Sequence, residues 1–224
     1  MSLFRHAVFE TSVASPSDLQ PSTLPEIAFA GRSNAGKSSA INALTGHTRL
    51  AFVSKTPGRT QLINFFRLRS GAGVVDLPGY GYADVPEKVR KQWRGLLEHY
   101  LTRRPNLVGL VLIMDIRHPL TELDVHMINW FVPTSNPIHV LLTKSDKISR
   151  QLANETLREI RTAVSVYGDQ ITVQLFSSLK KTGLEEAEAI VAPWLGLEPA
   201  VPKKVPEKKS PRLKGRKPGA ECLN

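Results

Sequence analysis

The octapeptide GRSNAGKS, residues 31–38, limits the possible folds of this chain more than any other feature of the sequence. It matches the pattern G-x-x-x-x-G-K-[S/T] at every defined position. The apolar run 26–30 precedes it and reads as a strand, whereas the segment that begins at Lys37 reads as a helix. A strand, a glycine-containing turn and a helix in this order are typical of a loop that binds phosphate groups.

The chemistry of phosphate binding explains the residue types in this loop. Glycines allow backbone amides to close around a phosphate chain, and the helix that follows points its positive end at the anion. We expect Lys37 to reach the β and γ phosphates and the hydroxyl of Ser38 to bind Mg²⁺. The loop therefore predicts a site for a nucleoside triphosphate, but it specifies neither the base nor the acceptor of the phosphoryl group.

Apolar runs alternate with amphipathic stretches along the rest of the chain. This alternation predicts crossover connections, a parallel sheet and helices on both of its faces. Ligands of such α/β folds bind at the carboxyl ends of the strands. Strands are predicted at 26–30, 61–69, 73–77, 107–116, 137–144 and 171–178, and helices at 37–44, 87–104, 122–132, 150–167 and 183–195.

The segment LLTKSD, residues 141–146, lies at the end of a predicted strand and indicates which base is bound. Asp146 can accept hydrogen bonds from N1–H and from the exocyclic amine of guanine at once, whereas adenine has an acceptor at N1 and no amine at C2. Hydrogen bonds to a charged group are worth roughly 1.5–3 kcal/mol each, so the pair favours guanine by about 10²- to 10⁴-fold. The aliphatic part of Lys144 can lie over the purine face. The sequence therefore predicts GTP and GDP as ligands.

Two further loops follow predicted strands. In VVDLPGYGY, residues 74–82, Asp76 fits the pattern D-x-x-G and would hold Mg²⁺ through a water, while the amide of Gly79 would bond the γ-phosphate. Without the phosphate loop, a plain Pro-Gly turn would be the simpler interpretation. In FSSLKKTG, residues 176–183, backbone amides near Ser177 and Ser178 can face the guanine O6, or the segment is an ordinary connection from strand to helix.

The polar stretch 46–61, between the first helix and the next strand, is expected to supply a threonine for Mg²⁺. Thr56 and Thr60 both qualify. We prefer Thr60, because it lies at the entrance to the strand, behind the flexible pair Pro57 and Gly58.

Composition narrows the class of protein. The chain is 41% hydrophobic and 22% charged, as is usual for a soluble globular protein. Its longest apolar run, 107–114, is too short to span a membrane, and the first residues lack the apolar core of a signal peptide. The single cysteine, Cys222, excludes an intrachain disulfide. We therefore expect a cytoplasmic protein that has no membrane partner.

The net charge of +10 is unevenly distributed. About half of it comes from residues 198–224, where eight Lys or Arg residues stand against three Glu residues. This stretch is rich in proline and poor in apolar side chains, so we expect it to be disordered. It is either a tail that keeps the protein soluble or an arm for polyanions such as nucleic acid. We divide the chain into a globular domain, 1–197, and a tail, 198–224.

Taken together, these motifs resemble the EngB family, also called YihA or YsxC, of bacterial ribosome-biogenesis GTP-binding proteins. The resemblance rests on GRSNAGKS, SKTPGRTQ, DLPGYGYA, DIRHPLTELD, TKSD and FSS, and it spans roughly residues 5–196. It places the chain in the TrmE-Era-EngA-EngB-septin branch and implies a three-layer Ras-like P-loop G domain, with a mostly parallel sheet and one antiparallel edge strand. It also implies GTP hydrolysis with Mg²⁺, a role in late assembly of the large ribosomal subunit, and defective division and septation on loss.

The resemblance carries the family's functional residues onto matching positions of this chain. Mg²⁺ contacts fall on Ser38 and Thr60, with Asp76 from the D-x-x-G pattern, while Lys37, Asn34, Thr60 and Gly79 take part in hydrolysis. Nucleotide contacts fall on Gly31, Arg32, Ser33, Asn34, Ala35, Gly36, Lys37, Ser38, Gly58, Arg59, Thr60, Gln61, Leu62, Asp76, Leu77, Pro78, Gly79, Thr143, Lys144, Ser145, Asp146, Phe176, Ser177 and Ser178.

One position departs from the pattern of many GTPases. Tyr80 follows Gly79, where a glutamine commonly orients the attacking water. A phenol does not replace the paired donor and acceptor of an amide, so we expect intrinsic turnover at or below the ~10⁻⁴ to 10⁻² s⁻¹ of unassisted G domains. A partner can supply the missing group. Alternatively, Asn34 ligates K⁺. Related GTPases with asparagine at this position can bind K⁺, and the ion takes the place of an arginine finger. If Asn34 does not bind K⁺, it only braces the loop.

Three functions are compatible with these features. The leading hypothesis is a GTP-driven assembly switch that binds the large ribosomal subunit or its precursors, through rRNA and ribosomal proteins. One alternative is a GTP-binding scaffold that acts through its tail without productive hydrolysis, and partner-stimulated turnover separates it from the switch. The other is a P-loop phosphotransferase with a small-molecule substrate, but the sequence contains no inserted lid domain. No motif predicts dimerisation, so we expect a monomer.

Overall fold

A computed structural model describes residues 3–51, 62–81 and 87–197, with the side chains of 87–93 excepted. Its strands are β1 (Val8–Val13), β2 (Glu26–Gly31), β3 (Ile63–Arg67), β4 (Gly73–Asp76), β5 (Leu107–Asp115), β6 (Ile138–Thr143) and β7 (Ile171–Leu175). Its helices are α1 (Lys37–Thr45), α2 (Glu87–Arg103), α3 (Glu122–Phe131), α4 (Arg150–Val164) and α5 (Leu184–Val191). The predicted tail, 198–224, lies outside the described residues.

The described strands form one mixed sheet in the order β1-β3-β4-β2-β5-β6-β7. Strands β4, β2, β5, β6 and β7 are joined by parallel pairings, whereas β3 runs antiparallel to both β1 and β4. The one strand of opposite direction therefore lies near an edge of the sheet, with β1 on its outer side. The predicted α/β class, with a mostly parallel sheet, is confirmed.

Helices cover both faces of the sheet because the central strands are apolar on both sides. Alternate residues of β5 belong to different cores: Leu110, Leu112 and Met114 pack with α2, α3 and α4, whereas Val111 and Ile113 pack with α1 and α5. All five side chains are at most 1% exposed. Burial on both faces is typical of parallel strands in a three-layer fold.

Strand β1 is an element that the sequence pattern did not predict. Its residues are mostly exposed, and Val8 and Phe9 are each 59% exposed, so it carries no alternation of apolar and polar residues. Backbone pairing with β3 and an ion pair between Glu10 and Arg67, 2.6 Å, hold it at the edge of the sheet. Such an edge strand is specified by its partner strand rather than by its own periodicity.

The topology brings several loops to one place. Strands β2, β4, β5, β6 and β7 all point in the same direction, so the segments that follow them emerge at the same edge of the sheet. Five of the motifs quoted above, one for each of these strands, lie in these segments. No described helix is long and apolar enough to cross a membrane.

Candidate nucleotide-binding site

The phosphate loop connects the end of β2 to the start of α1, and two of its glycines are required by geometry. A Cβ on Gly31 would lie 2.7 Å from the carbonyl oxygen of Ile113, because β2 and β5 pack closely there. Gly36, directly before α1, has φ +103°, a backbone conformation that residues with a Cβ rarely adopt. At both positions, therefore, the backbone requires the glycine that the sequence pattern contains.

Backbone hydrogen bonds join this loop to the segment that follows β4. The amide of Ser33 donates to the carbonyl of Tyr80, 2.9 Å, and the amide of Tyr80 donates to the carbonyl of Gly31, 3.3 Å. Gly79 lies so close to the loop that a Cβ there would be 3.2 Å from Ser33 Oγ. The predicted γ-phosphate sensor and the phosphate loop are thus in direct contact.

Lys37 and Asp76 meet at the centre of the site. The ammonium group of Lys37 forms an ion pair with Asp76 Oδ1, and the two side chains are only 10% and 8% exposed. A cation suited to phosphate oxygens and a carboxylate suited to a metal are therefore placed together in a largely buried position. Ser38 follows Lys37 in α1.

This donor set fits Mg²⁺ rather than a metal held by protein alone. Among the described residues there is no group of three His, Cys, Asp or Glu side chains that could hold a metal ion. Protein sites for Mg²⁺ typically contribute one or two oxygen ligands and take the others from water and from substrate phosphates. Ser38 and Asp76 are the described residues that would supply such oxygens.

The motif TKSD lies at the end of β6 and contacts the phosphate loop from the other side. Thr143 Oγ1 donates a hydrogen bond to the carbonyl of Ala35, which fixes the loop against the sheet. The ammonium of Lys144 bonds the carbonyl of Asn34 and, at 2.8 Å, the carboxylate of Asp115. Both bonds are made by Nζ, so the end of the Lys144 side chain is fixed and its aliphatic part is left to lie against a base.

Asp115 is a site residue that the sequence analysis missed. It ends β5, and its carboxylate accepts hydrogen bonds from Arg117 Nε, 2.9 Å, and from Lys144. Partial burial opposes ionisation, but the hydrogen bonds from Arg117 and Lys144 lower the pKa of Asp115 well below its ordinary value. Asp115 is therefore an anion that positions Lys144. The signal was present, because Asp115 opens the motif DIRHPLTELD at the end of a buried strand.

Asp146, the predicted guanine reader, is held by the loop that follows β7. Ser177 Oγ donates to Asp146 Oδ1 at 2.5 Å, and this hydrogen bond lowers the pKa of Asp146 below its ordinary value. The carboxylate is thus ionised at neutral pH, as an acceptor of two guanine hydrogen bonds must be. The amide of Ser177 donates within its own loop to the carbonyl of Thr182, 3.1 Å, so Ser177 takes part through its side chain rather than through its amide.

The loops after β6 and β7 are also joined to each other. The amide and the hydroxyl of Ser145 both donate to the carbonyl of Phe176, at 3.2 and 3.0 Å. Phe176 itself is fully buried beneath this junction. The two predicted base-binding segments therefore form one rigid corner of the site.

Tyr80 turns away from the phosphate loop into the core. Its side chain is 4% exposed, and its hydroxyl donates to Asp124 Oδ1 at 2.6 Å. Burial and the nearby Asp124 carboxylate raise the pKa of Tyr80 well above its ordinary value. Asp124 also accepts hydrogen bonds from the amide and hydroxyl of Thr121, at 2.9 and 2.7 Å, at the start of α3. Tyr80 thus connects the segment after β4 to α3. Its partner Asp124 was not predicted as a site residue from the sequence.

The other predicted residues are distributed as follows. Asn34 is exposed and has φ +62°, a left-handed conformation that asparagine tolerates better than most residues. Leu62 is 37% exposed, just before β3, and Leu77 is buried. Thr56, Gly58, Arg59, Thr60 and Gln61 lie outside the described residues, so their roles in binding nucleotide and Mg²⁺ stay predictions.

Comparison with known proteins identifies the relatives of this chain. A family model described as a 50S ribosome-binding GTPase matches residues 26–144, more than half of the sequence. A probable GTP-binding protein EngB from Azoarcus sp. (strain BH72) is 68% identical over 196 residues, covering 87% of this chain and 94% of the relative. Another from Aromatoleum aromaticum is 68% identical over 206 residues, covering 90% and 95%.

A solved structure supports the fold independently of these sequences. The crystal structure of a probable GTP-binding protein engB superposes with a TM-score of 0.62 over 76% of this chain and 98% of its own, at 23% sequence identity. At that identity the likeness concerns the fold alone. It confirms the predicted P-loop G domain.

Proposed function

Because this chain belongs to the EngB family of GTP-binding proteins, we propose that it is a GTP-hydrolysing switch that acts in assembly of the large ribosomal subunit. In this proposal the GTP-bound form binds the subunit or its precursors, and hydrolysis releases it. Normal cell division and septation would depend on that role. Membership of a GTPase family supports the chemistry, whereas the switch and its target are the proposal.

The observation that carries the choice of nucleotide is the position of Asp146 relative to the phosphate loop. Asp146 is ionised and held by Ser177, and its neighbour Lys144 bonds the carbonyl of Asn34 in that loop. Asp146, which would bind the base, and the loop that would bind the phosphates therefore belong to one site. A carboxylate at that place matches the two N–H donors of guanine and has no match on adenine.

The residues of the site have distinct roles in hydrolysis. Lys37 would stabilise negative charge on the β and γ phosphates, and the amide of Gly79 would hold the γ-phosphate. Ser38, Asp76 and, outside the described residues, Thr60 would hold Mg²⁺. When bound, Mg²⁺ neutralises charge that develops on the phosphate oxygens. Thr143 keeps the loop in place through the carbonyl of Ala35.

Slow intrinsic turnover is part of the proposal. The hydroxyl of Tyr80 is occupied by Asp124, so Tyr80 leaves the attacking water without the group that glutamine supplies in other GTPases. We expect a partner or a K⁺ ion bound near Asn34 to complete the site. Single-turnover hydrolysis measured in K⁺ and in Na⁺ at equal ionic strength tests the second route. A rate that is the same in both salts eliminates K⁺.

The ribosomal target is supported by the description of the matching family model as ribosome-binding. The test is co-sedimentation with large ribosomal subunits and their precursors, after loading with GDP or with a non-hydrolysable GTP analogue. We expect binding that requires the GTP analogue and survives moderate salt. Binding that ignores the nucleotide and disappears with salt would indicate only attraction between a basic protein and RNA, and would refute the switch.

A scaffold that binds GTP without productive hydrolysis is the second candidate, and the burial of Tyr80 is the observation that favours it. The two functions differ in one respect. A switch must hydrolyse GTP faster when its partner is present, whereas a scaffold need not.

A further inference from the structure

The hydroxyl of Ser33 is a buried polar group in the phosphate loop. Among the residues that the structure describes, it makes no hydrogen bond. Buried hydroxyls nearly always have a partner, because leaving one unsatisfied costs free energy. An unsatisfied hydroxyl inside a ligand-binding loop therefore indicates that part of the ligand is its partner.

The neighbours of Ser33 indicate which part of the ligand this is. A Cβ built on Gly79 would be 3.2 Å from Ser33 Oγ, so the hydroxyl lies beside the residue whose amide is predicted to bond the γ-phosphate. The amide of Ser33 donates a hydrogen bond to the carbonyl of Tyr80, 2.9 Å, and this bond keeps Ser33 next to Gly79. The base is read elsewhere, at Asp146. Ser33 is thus placed at the end of the phosphate chain.

The side chain that follows Gly79 does not compete for this position. Tyr80 is buried in the core, and its hydroxyl is bonded to Asp124 at 2.6 Å. The ammonium of Lys37 is paired with Asp76, and the side chain of Asn34 is exposed. Among these described residues near Gly79, Ser33 is therefore the one with a buried hydroxyl donor that makes no other hydrogen bond.

We propose that Ser33 Oγ donates a hydrogen bond to a γ-phosphate oxygen and is therefore a residue that distinguishes GTP from GDP. A serine hydroxyl carries one O–H donor, phosphate oxygens accept, and hydrogen bonds to charged acceptors are the stronger ones. GDP has no γ-phosphate and leaves the hydroxyl unsatisfied. This inference rests on the proposed function, because it requires a guanine nucleotide in the loop.

The test compares Ser33→Ala with the wild-type protein and with Ser39→Ala. Ser39 is an exposed serine on the adjacent helix α1, so it controls for the loss of a hydroxyl near the site. Affinities for GDP and for a non-hydrolysable GTP analogue are measured in the presence of Mg²⁺. We expect Ser33→Ala to lower the ratio of GTP-analogue affinity to GDP affinity about tenfold or more, with GDP affinity unchanged. Ser39→Ala should change neither.

An unchanged ratio in Ser33→Ala overturns the inference. An equal loss of affinity for both nucleotides also overturns it, because Ser33 would then support the loop as a whole. If the alanine variant lacks a cooperative thermal transition, Ser33→Gly removes the same hydroxyl without leaving a methyl group, and the same two outcomes apply to it. A wild-type protein that binds neither nucleotide refutes the proposed function itself, which is a distinguishable result.

Discussion

Asp146 is the residue on which nucleotide choice depends. Its carboxylate is kept ionised by the hydrogen bond from Ser177, which also fixes its position at the end of β6. Asp146→Asn turns one acceptor oxygen into a donor that faces the guanine donors. We expect the affinity for GDP to fall at least about 100-fold, since hydrogen bonds to charged groups are worth about 1.5–3 kcal/mol each.

Isothermal titration with GDP and with xanthosine diphosphate measures this effect. Xanthine has a carbonyl at C2 instead of an amine, so the asparagine variant should recover part of its affinity for that base. Asp169→Asn, an exposed aspartate after α4, is the matched control and should bind GDP as the wild type does. GDP binding unaffected by Asp146→Asn would show that the base lies elsewhere.

Tyr80 has a structural role that the sequence pattern concealed. Tyr80→Phe removes the hydroxyl that donates to Asp124 but leaves the ring in the core, and Asp124 keeps its two hydrogen bonds from Thr121. We expect the free energy of unfolding to fall by about 1–2 kcal/mol. Intrinsic GTP hydrolysis should change less than threefold, because the hydroxyl does not face the phosphate loop.

Urea denaturation and single-turnover hydrolysis, measured side by side, test the role of Tyr80. Tyr167→Phe is the control, since its hydroxyl makes an exposed hydrogen bond of 3.2 Å to Asn129 and should contribute little to stability. A large loss of hydrolysis in Tyr80→Phe without loss of stability would contradict this assignment and make Tyr80 a catalytic group.

Between elements, the pairing of β6 with β7 contains a buried polar cluster. His139 in β6 is fully buried, with Nδ1 2.7 Å from Thr172 Oγ1 and Nε2 2.8 Å from Gln174 Oε1. The amide of Gln174 donates to the carbonyl of Gly183, 2.7 Å, directly before α5. The cluster therefore connects two strands to the start of the helix that covers them.

Burial makes the stability of this cluster depend on pH. It lowers the pKa of His139 to about 4, against an ordinary value of about 6.5. Between these values the unfolded chain binds the proton that the folded chain excludes, so stability is lost as the pH falls through this range. We expect His139 to account for a loss of about 1–2 kcal/mol between pH 7 and pH 5.

Chemical denaturation at pH 7 and pH 5 measures that dependence. His139→Gln should show a shallower fall in stability between the two values than the wild type. His126→Gln, at an exposed position of α3, should retain the full dependence and is the control. Identical pH dependence in all three proteins would contradict a neutral, buried His139.

The elements that were predictable are those whose own sequence carries the signal. Strand β5 is apolar on both faces, and α1 begins at the end of a glycine-containing loop, so both were predicted close to their observed bounds. Strand β1 was not, because its partner β3 specifies it. Within the site, Asp146 and Lys37 follow from motifs. Asp115 and Asp124 lie in the motif DIRHPLTELD, but their contacts with Lys144 and Tyr80 become visible only when the chain is folded.

At the scale of the whole molecule, the globular domain and the basic tail should be separable. A variant that ends at residue 197 should keep its thermal transition and its affinity for GDP, because every described site residue lies before that point. We expect its affinity for RNA at low salt to fall. The slope of log K against log salt should become shallower by several units, since each phosphate contact contributes about 0.7–0.9.

Binding to a single-stranded RNA across a salt series distinguishes the full chain from this variant. A full-length variant in which the tail's Lys and Arg residues are replaced by Gln should match the truncated one, which controls for the loss of length. Equal RNA affinity and equal salt slopes for the truncated and intact proteins would leave the tail as a solubilising segment.

The central claim is that this G domain is a switch driven by its partner, and single-turnover GTP hydrolysis in the presence of large ribosomal subunit precursors tests it most directly. We predict slow hydrolysis by the protein alone, at least about tenfold faster hydrolysis with the precursors, and no acceleration with small subunits. Lys37→Ala should be inactive in all three mixtures. A rate that stays at the intrinsic value while the protein and the precursors sediment together would contradict the switch and favour the scaffold.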